Sequence, residues 1–178
     1  MSSLSYLLGA KDIGLTFNKN EPEIVAYSDA SWNKVPIPFG GHVIFYGGAA
    51  VSYAARKVKI VPQSSAEAET AAYSKAAKDI RYVTNVIGSG GFLLKLNLPI
   101  TIKCDNQATV ASIKNNGTTQ RNRHYERWLQ YDREQYLDLV SAPLWVGTEL
   151  MIADIFTKPL DKTAFLKFRA QLLNYKKA

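Results

Sequence analysis

Blocks of apolar residues with two different periods run along the chain and predict alternating strands and helices. Alternating or continuous β-branched and aromatic residues predict strands near residues 23–29, 40–47, 49–57, 99–104 and 139–146. Helical spacing predicts helices near residues 66–87, 107–114, 121–137, 150–156 and 161–173. Gly47-Gly48 predicts a hairpin, and the strand-to-helix order in residues 99–114 predicts parallel pairing. We therefore expect a mixed sheet in an α/β or α+β fold.

Two aspartates directly end predicted strands. Asp29 closes the apolar run 24–27, and Asp105 follows the run 99–104, in which alternate residues are apolar. In sheets with parallel strands, ligands gather beyond the carboxyl ends of the strands. We expect Asp29 and Asp105 to meet at that edge.

A third carboxylate lies on the apolar stripe of the long helix predicted in the middle of the chain. Helical spacing places on this stripe Glu69, Ala72, Tyr73, Ala76, Ile80, Val83 and Ile87. Glu67 differs, because Ser64 three residues earlier predicts a capping box in which Glu67 bonds the backbone amide of the cap. Glu67 is also rotated by about 200° from Glu69 on a helix of roughly 3.6 residues per turn. We expect Glu69 to face the core and Glu67 to face solvent.

The fourth acid, Asp154, lies on the predicted helix 150–156 and should project towards the same edge. Singly, each acid has an ordinary explanation as a turn former, a helix cap or a solvated side chain. Brought together in one cleft, the four carboxylates would repel one another unless a divalent cation lay between them. Oxygen ligands favour Mg²⁺ or Mn²⁺ over zinc. The sequence therefore predicts a metal site built from Asp29, Glu69, Asp105 and Asp154.

Charge and composition limit the partners and the compartment. The 178-residue chain has 22 basic and 15 acidic residues, a net charge of +7, which suits a polyanion bound through phosphates. Its single cysteine, Cys104, excludes an internal disulfide and is predicted to be a small core residue. No apolar run approaches the roughly 18 residues of a membrane span, and the first residues are unlike a signal peptide. We expect an intracellular, reducing location without membrane attachment.

The clearest basic patch opens the predicted helix 121–137. It consists of Arg121, Arg123, His124 and Arg127, interleaved with Tyr125 and Trp128. Basic residues at the start of a helix oppose the helix dipole, so a phosphate partner would explain them. The alternative is a solvated helix face whose aromatic residues, Trp128 and Tyr131, point inward. Secondary candidates for phosphate contact are Lys57, Lys59 and Lys158.

Several motifs together resemble one family. The segments YSDASW, SSAEAET, KCDNQA and IADIFTKPL are similar to the ribonuclease H domain of copia-type LTR retrotransposon polyproteins. The segments GGHVIFYGG, AVSYAARK and RNRHYERWLQYDRE add to this resemblance, which runs from about Ile24 to about Phe168. The motifs IADIFTKPL and SSAEAE are highly specific, whereas SDAS alone is weak.

The resemblance implies a ribonuclease H fold, a five-stranded mixed sheet flanked by helices, in residues 23–175. Residues 1–22 would then be a tail similar to the connection region that precedes the domain. The implied activity is hydrolysis of the RNA strand of an RNA–DNA hybrid, with Asp29, Glu69, Asp105 and Asp154 holding two Mg²⁺ ions, for which Mn²⁺ can substitute. Gln107 would touch the minor groove, and Asn106 is a further candidate whose alternative is a helix cap. A reverse transcriptase domain is an implied partner.

Two features depart from the usual ribonuclease H pattern, and copia-type domains share the first of them, the absence of a histidine. Many ribonucleases H carry a histidine shortly before the last aspartate, where this chain has Gly147-Thr148. The stretch 33–39 is also unlike the family sequence between the first two strands. A domain that binds hybrids or RNA without cutting them is one alternative. A scaffold that binds a protein through the basic helix is the other.

Overall fold

The computed structural model describes residues 3–20, 22–32, 38–58, 61–89, 97–115, 117 and 122–175. The strands are β1 (Ile24–Ala30), β2 (Phe39–Tyr46), β3 (Ala49–Lys57), β4 (Ile100–Cys104) and β5 (Ser141–Trp145). The α-helices are α1 (Ser3–Gly9), α2 (Ser65–Ser89), α3 (Gln107–Lys114), α4 (Glu126–Leu137) and α5 (Lys162–Leu173). Three short 3₁₀ turns span Arg123–Tyr125, Thr148–Leu150 and Ile152–Phe156.

The five strands form one mixed sheet in the order β3-β2-β1-β4-β5. β1 pairs with β2 in antiparallel fashion and with β4 in parallel, as the strand-to-helix pattern predicted. Gly47 and Gly48 join β2 to β3 with φ angles of +60° and +80°. Residues with a Cβ rarely adopt two such angles in succession, which explains why this hairpin turn is built from glycines. The predicted mixed five-stranded sheet is confirmed.

Helices cover both faces of the sheet because strand residues alternate between two cores. Ala26 and Ile44 join the larger core, which includes Tyr73 and Ile80 of α2. The strand residues between them face the opposite side of the sheet and pack against the 3₁₀ turn Ile152–Phe156 and α5. This second cluster includes Val25, Tyr27, Val43, Phe45, Ile152 and Phe168. The alternation therefore fixes which strand residues point towards the 3₁₀ turn that carries Asp154.

Two of the predicted helices differ in form from the structure. The predicted helix 150–156 is a pair of 3₁₀ turns, in which Asp154 N donates to Met151 O and Thr157 N donates to Asp154 O. The described part of the predicted helix 121–137 begins with the 3₁₀ turn Arg123–Tyr125 and becomes α-helical only at Glu126. Helical periodicity alone does not distinguish such short 3₁₀ turns from α-helix.

The amino-terminal segment packs against the carboxyl-terminal helix. Tyr6 of α1 makes an edge contact with Phe165 of α5, and its hydroxyl accepts from Arg169. Further along, Thr16 N donates to Leu173 O. The domain boundary at residue 23 stays a prediction. Among the described residues, no helix has both the length and the apolar character that a membrane crossing requires.

Candidate functional site

Asp29 lies near the carboxyl end of β1 and is only 2% exposed. Its partner in the antiparallel ladder is Gly41 of β2. Because Gly41 has no side chain, Phe156 and Thr157 approach the sheet closely at this point. The hydroxyl of Thr157 donates a hydrogen bond to the Asp29 carboxylate. The last 3₁₀ turn is thereby held against the end of β1.

Glu69 reaches the same edge from the first part of α2. It faces the core as predicted, is 5% exposed, and accepts a 3.2 Å hydrogen bond from the backbone N of Ala30. The thiol of Cys104 lies 3.9 Å from the Glu69 carboxylate. Cys104 also belongs to the main core, as expected, and burial raises the pKa of its thiol well above the ordinary value.

Asp105 follows β4 directly and is half-exposed. Its carboxylate accepts a 2.9 Å hydrogen bond from the Thr148 hydroxyl, and its backbone carbonyl accepts from the Trp145 indole at 3.1 Å. Carboxylate and thiol atoms of Glu69, Cys104 and Asp105 lie within 4.8 Å of one another. The ends of β4 and α2 therefore bring the second and third acids together.

Asp154 is held by the 3₁₀ turn Ile152–Phe156 and is 4% exposed. Lys158, four residues later, places its ammonium 2.7 Å from the Asp154 carboxylate. This pairing, with charges from Asp29 and Asp105 in support, raises the pKa of Lys158 although burial by itself would lower it. The ammonium therefore stays charged and offsets one of the carboxylates.

Burial and the charges of neighbouring acids raise the pKa values of three of these carboxyls. Burial, reinforced by the charge of Asp105, raises the pKa of Asp29, whereas the Thr157 hydrogen bond opposes the rise. Burial and then the charges of Asp29 and Asp105 raise the pKa of Glu69 well above the ordinary value. Burial, again with both neighbouring charges, raises the pKa of Asp154 to about 6. The charges of Asp29 and Asp105 thus contribute to the raised pKa values of Glu69 and Asp154, and the role of the four acids as one site stays a prediction.

This donor set fits a divalent cation. Buried carboxylates whose pKa values rise because they are desolvated and repel one another are stabilised by a nearby positive charge. Among the described residues, Lys158 supplies one positive charge for four acids. Carboxylate oxygens are the ligands that Mg²⁺ and Mn²⁺ prefer, and the Cys104 thiol, with its raised pKa, is a poor competitor for the metal.

The residues predicted to touch nucleic acid fall into different environments. Gln107 is exposed at the start of α3, beside Asp105, whereas Asn106 caps that helix by accepting a 3.0 Å hydrogen bond from Thr109 N. The ordinary explanation of Asn106 therefore holds in the structure. Lys57, Arg123 and Arg127 are exposed, and Lys158 lies inside the acid cluster. Arg121, Lys59 and the unusual loop residues 33–37 lie outside the described residues.

The aromatic residues of the basic patch are directed towards the protein interior. Tyr125 is buried in the main core, and Trp128 and Tyr131 pack against it. This favours the alternative in which the aromatic residues serve packing. Arg123 and Arg127 remain on the surface as candidates for phosphate contact.

The prediction that Glu67 faces solvent is wrong. Glu67 is 6% exposed, and its carboxylate accepts from Gln63 N at 2.7 Å and lies 3.1 Å from His124 Nε2. The Ser64 hydroxyl accepts from Glu67 N as a cap should, but the return bond of the carboxylate goes to the residue before the cap. The physical reason is tertiary, since His124, which opens the segment leading into α4, pairs with Glu67 across the first turn of α2. Helix geometry alone cannot anticipate that contact.

Sequence reasoning also missed two hydroxyl groups. Thr148 and Thr157 donate to the carboxylates of Asp105 and Asp29. Thr157 follows Asp154 by three residues, so the spacing of a 3₁₀ turn offered a signal for it. Thr148 lies 43 residues from Asp105, and its contact depends on the parallel pairing of β4 with β5.

Comparison with curated proteins identifies a transposon relative. The chain is 28% identical over 173 residues to the "Retrovirus-related Pol polyprotein from transposon RE1" of Arabidopsis thaliana. The match covers 95% of this chain but only 12% of the polyprotein. No family model matches the chain.

Solved structures share the architecture at low sequence identity. LC11-RNase H1, solved in complex with an RNA/DNA hybrid, superposes with a TM-score of 0.57 at 13% identity, covering 76% of this chain and 94% of that one. RNase H1 from the halophilic archaeon Halobacterium salinarum NRC-1 gives 0.55 at 18% identity, with the same two coverages. Likenesses at such identities show a common fold.

Proposed function

We propose that this chain, which has the ribonuclease H fold and is similar to a retrotransposon Pol polyprotein, hydrolyses the RNA strand of RNA–DNA hybrids with the help of divalent metal ions. The convergence of Asp29, Glu69, Asp105 and Asp154 at one edge of the sheet is the observation that carries the proposal. The acids come from separate elements, so the fold as a whole is needed to assemble them.

The four carboxylates would hold two Mg²⁺ ions, with Asp29, Asp105 and Asp154 around one and Asp29 and Glu69 around the other. Bound Mg²⁺ lowers the pKa of attacking water and stabilises the developing charge on the leaving oxygen of a phosphodiester. The protein would position the carboxylates that hold the metal ions. Thr157 and Thr148 orient the carboxylates of Asp29 and Asp105, and the backbone N of Ala30 orients that of Glu69.

Substrate binding would rest on charge beside the acids and on contacts in the minor groove. The net charge of +7 includes these acids, so the rest of the surface is more positive still. Gln107 is exposed and follows Asp105 by two residues, and in this proposal it contacts the minor groove of a duplex whose phosphate lies over the acids. Arg123, Arg127 and Lys57 are candidates for phosphate contact, which would make binding salt-dependent and largely independent of base sequence. A reverse transcriptase domain is a proposed partner.

A cleavage and binding assay tests the function. Wild type, Asp29→Asn and the control Asp138→Asn would each be incubated with a labelled RNA–DNA hybrid in Mg²⁺ or Mn²⁺. Asp138 is an exposed acid at the end of α4, before β5 begins, so its substitution makes the same chemical change away from the site. We expect wild type and Asp138→Asn to cut the RNA strand and Asp29→Asn to bind without cutting.

The outcomes separate the three functions considered for this chain. Binding without cutting by wild type would replace the nuclease with a hybrid-binding module. Neither binding nor cutting would leave the protein-binding scaffold. Equal cutting by wild type and Asp29→Asn would show that the acid cluster is not the catalytic site.

A further inference from the structure

Trp145 lies half-exposed at the carboxyl end of β5, an edge strand of the sheet. Its neighbour across the parallel ladder is Cys104, which belongs to the main core, so both side chains point to that face. Ser141 and Pro143 of the same face are buried, whereas 47% of Trp145 is exposed. The indole ring thus extends beyond the core at the carboxyl edge of the sheet.

The polar atom of Trp145 does not explain this exposure. Tryptophan often stays near the surface because its N–H needs a hydrogen-bond partner. Here the indole N–H donates a 3.1 Å hydrogen bond to the backbone carbonyl of Asp105, so this need is met within the protein. The rest of the ring is carbon, and its exposed surface is unfavourable in water. Contact with another molecule would bury that surface.

The same hydrogen bond places the ring next to the candidate site. Asp105 is one of the four acids, and Thr148, three residues after Trp145, donates to its carboxylate. The ring therefore lies one hydrogen bond away from a proposed metal ligand. The bond also restrains the orientation of the ring before a ligand arrives. A side chain that is already restrained loses little conformational entropy on binding.

A duplex bound over the acids would pass close to this ring. Successive nucleotides of one strand are spaced by about 3.4 Å along the helix axis, so a nucleotide next to the scissile phosphate would come within reach of Trp145. The bases of a duplex stack on one another, whereas the wide minor groove of an A-form helix exposes the sugars. The chemistry that fits an exposed indole at this place is therefore the carbon face of a sugar.

We propose that Trp145 is a substrate contact whose ring packs against the sugar of an RNA nucleotide next to the scissile phosphate. The inference rests on the proposed function, because it assumes that the RNA strand of a hybrid lies over the acids. It adds an apolar contact to a site for which the sequence suggested only charged and amide side chains.

The test separates contact with the sugar from a purely structural role of the ring. Trp145→Ala and Trp145→Phe are made both in the wild-type protein and in an Asp29→Asn background, where binding is measured without cutting. Phenylalanine keeps an aromatic ring but lacks the N–H that bonds Asp105. The control is Tyr82→Ala, which removes an exposed ring about 20 Å along α2 from Glu69.

Affinity for a short hybrid is measured in the Asp29→Asn background over a range of salt concentrations, and cleavage is measured in the wild-type background. Urea unfolding checks that each variant folds. If Trp145→Ala does not fold, Trp145→Gln takes its place in every comparison, because glutamine keeps an N–H donor and has no ring.

We expect Trp145→Ala to bind the hybrid about five- to tenfold more weakly than the background, because the aromatic contact is lost. The slope of log K against log salt should not change, since an apolar contact releases no counterions. Trp145→Phe should bind within about twofold of the background, because its ring can still cover the sugar. Tyr82→Ala should match the background in affinity and slope.

Modified hybrids identify the sugar. A hybrid that the wild-type protein cuts at one position defines the scissile phosphate, and a propyl spacer then replaces single nucleotides of either strand. Where the spacer removes the contacted sugar, the background and Trp145→Ala should bind equally, as in a double-mutant cycle. We expect this at an RNA position next to the scissile phosphate and at no DNA position.

Four results would overturn the inference. Equal affinity of Trp145→Ala and Tyr82→Ala, with cutting by wild type, would show that Trp145 does not contact the hybrid and would leave the proposed function intact. Equal losses of cleavage rate in Trp145→Ala and Trp145→Phe, with affinity unchanged, would mean that the indole only holds Asp105. Equal binding caused by a spacer in the DNA strand would assign the contact to the other strand. Absence of hybrid binding by every protein, with no cutting by wild type, would remove the proposed function and this contact with it.

Discussion

Replacing Gly41 by alanine should disturb the candidate site without touching any of its acids. A Cβ built on Gly41 would lie 2.7 Å from the Phe156 Cβ and 2.8 Å from the Thr157 Cγ2. Ordinary van der Waals contact for such atoms begins at 3.4 Å. The difference, 3.4 − 2.7 = 0.7 Å, is the distance by which the turn must move away from the sheet. The Phe156 Cβ is bonded directly to the backbone, so the backbone itself has to move.

The displacement has two expected consequences. Forcing extra volume into a packed site typically destabilises a protein by about 1–3 kcal/mol, and we expect Gly41→Ala to fall in that range. Because Thr157 bonds Asp29 and the same turn carries Asp154, the shift also separates two of the acids. A misplacement of about 1 Å can lower a rate by roughly a hundredfold, so we expect cleavage to fall between tenfold and a hundredfold.

Urea unfolding and hybrid cleavage under single-turnover conditions would measure the two effects. Gly40→Ala is the matched control for stability, because its Cβ would meet the Ala72 Cβ at 3.4 Å, an ordinary contact. It should change the free energy of unfolding by less than about 1 kcal/mol. If Gly41→Ala proves as stable as Gly40→Ala and cuts at the wild-type rate, the close packing of the turn against β2 does not position the site.

Two further predictions concern the acids themselves. Glu69→Gln should lower the cleavage rate by about a hundredfold or more with no loss of stability. Glu67→Gln should leave the cleavage rate within a few-fold of wild type. It should destabilise the protein by about 1.5 kcal/mol, because it weakens the bonds to Gln63 and His124. Equal loss of activity in both variants would contradict the separation of their roles. In EDTA, the protonated Asp154 carboxyl should stabilise the folded state at low pH, and this stability should be lost as the pH rises through about 6. The reason is that the folded state retains a proton on Asp154 that the unfolded carboxyl, with a pKa of 3.8, has already lost. The free energy of unfolding should fall by at most about 3 kcal/mol between pH 4 and 7 because of Asp154, and excess Mg²⁺ should reduce this loss. If urea unfolding in EDTA shows stability rising over this range, the raised pKa of Asp154 is refuted.

Local patterns identified the elements that depend on local chemistry. The helix α3 (Gln107–Lys114) has the predicted bounds, since an asparagine cap opens it and a polar segment follows it. The hairpin at Gly47-Gly48 was also predictable, because two positive φ angles restrict the residues that can occupy such a turn. The strand-to-helix order in residues 99–114 predicted a parallel pair, and β1 pairs with β4 in parallel. In each case the signal lies within a short stretch of sequence.

Other features depend on contacts between distant segments. Glu67 has a polar neighbourhood in sequence, yet His124 covers it in the fold, so the expectation of a solvent-facing side chain was wrong. Thr148 contacts Asp105 only because β4 and β5 lie side by side. Arg56 of β3 and Lys75 of α2 likewise line one pocket although they are 19 residues apart. No periodicity in the sequence brings such pairs together.

The arrangement of the acids is itself an argument that their position serves a ligand. Packing alone would favour an apolar side chain at a site 2% exposed, such as that of Asp29, or at the core-facing position of Glu69. Burial and mutual repulsion instead raise the pKa values of these carboxyls, which means that the ionised site destabilises the fold. Lys158 and Thr157 offset this only in part. A bound divalent cation would turn the same repulsion into attraction, so metal binding should raise the stability of the wild-type protein and have little effect once Asp29 and Glu69 are replaced by their amides.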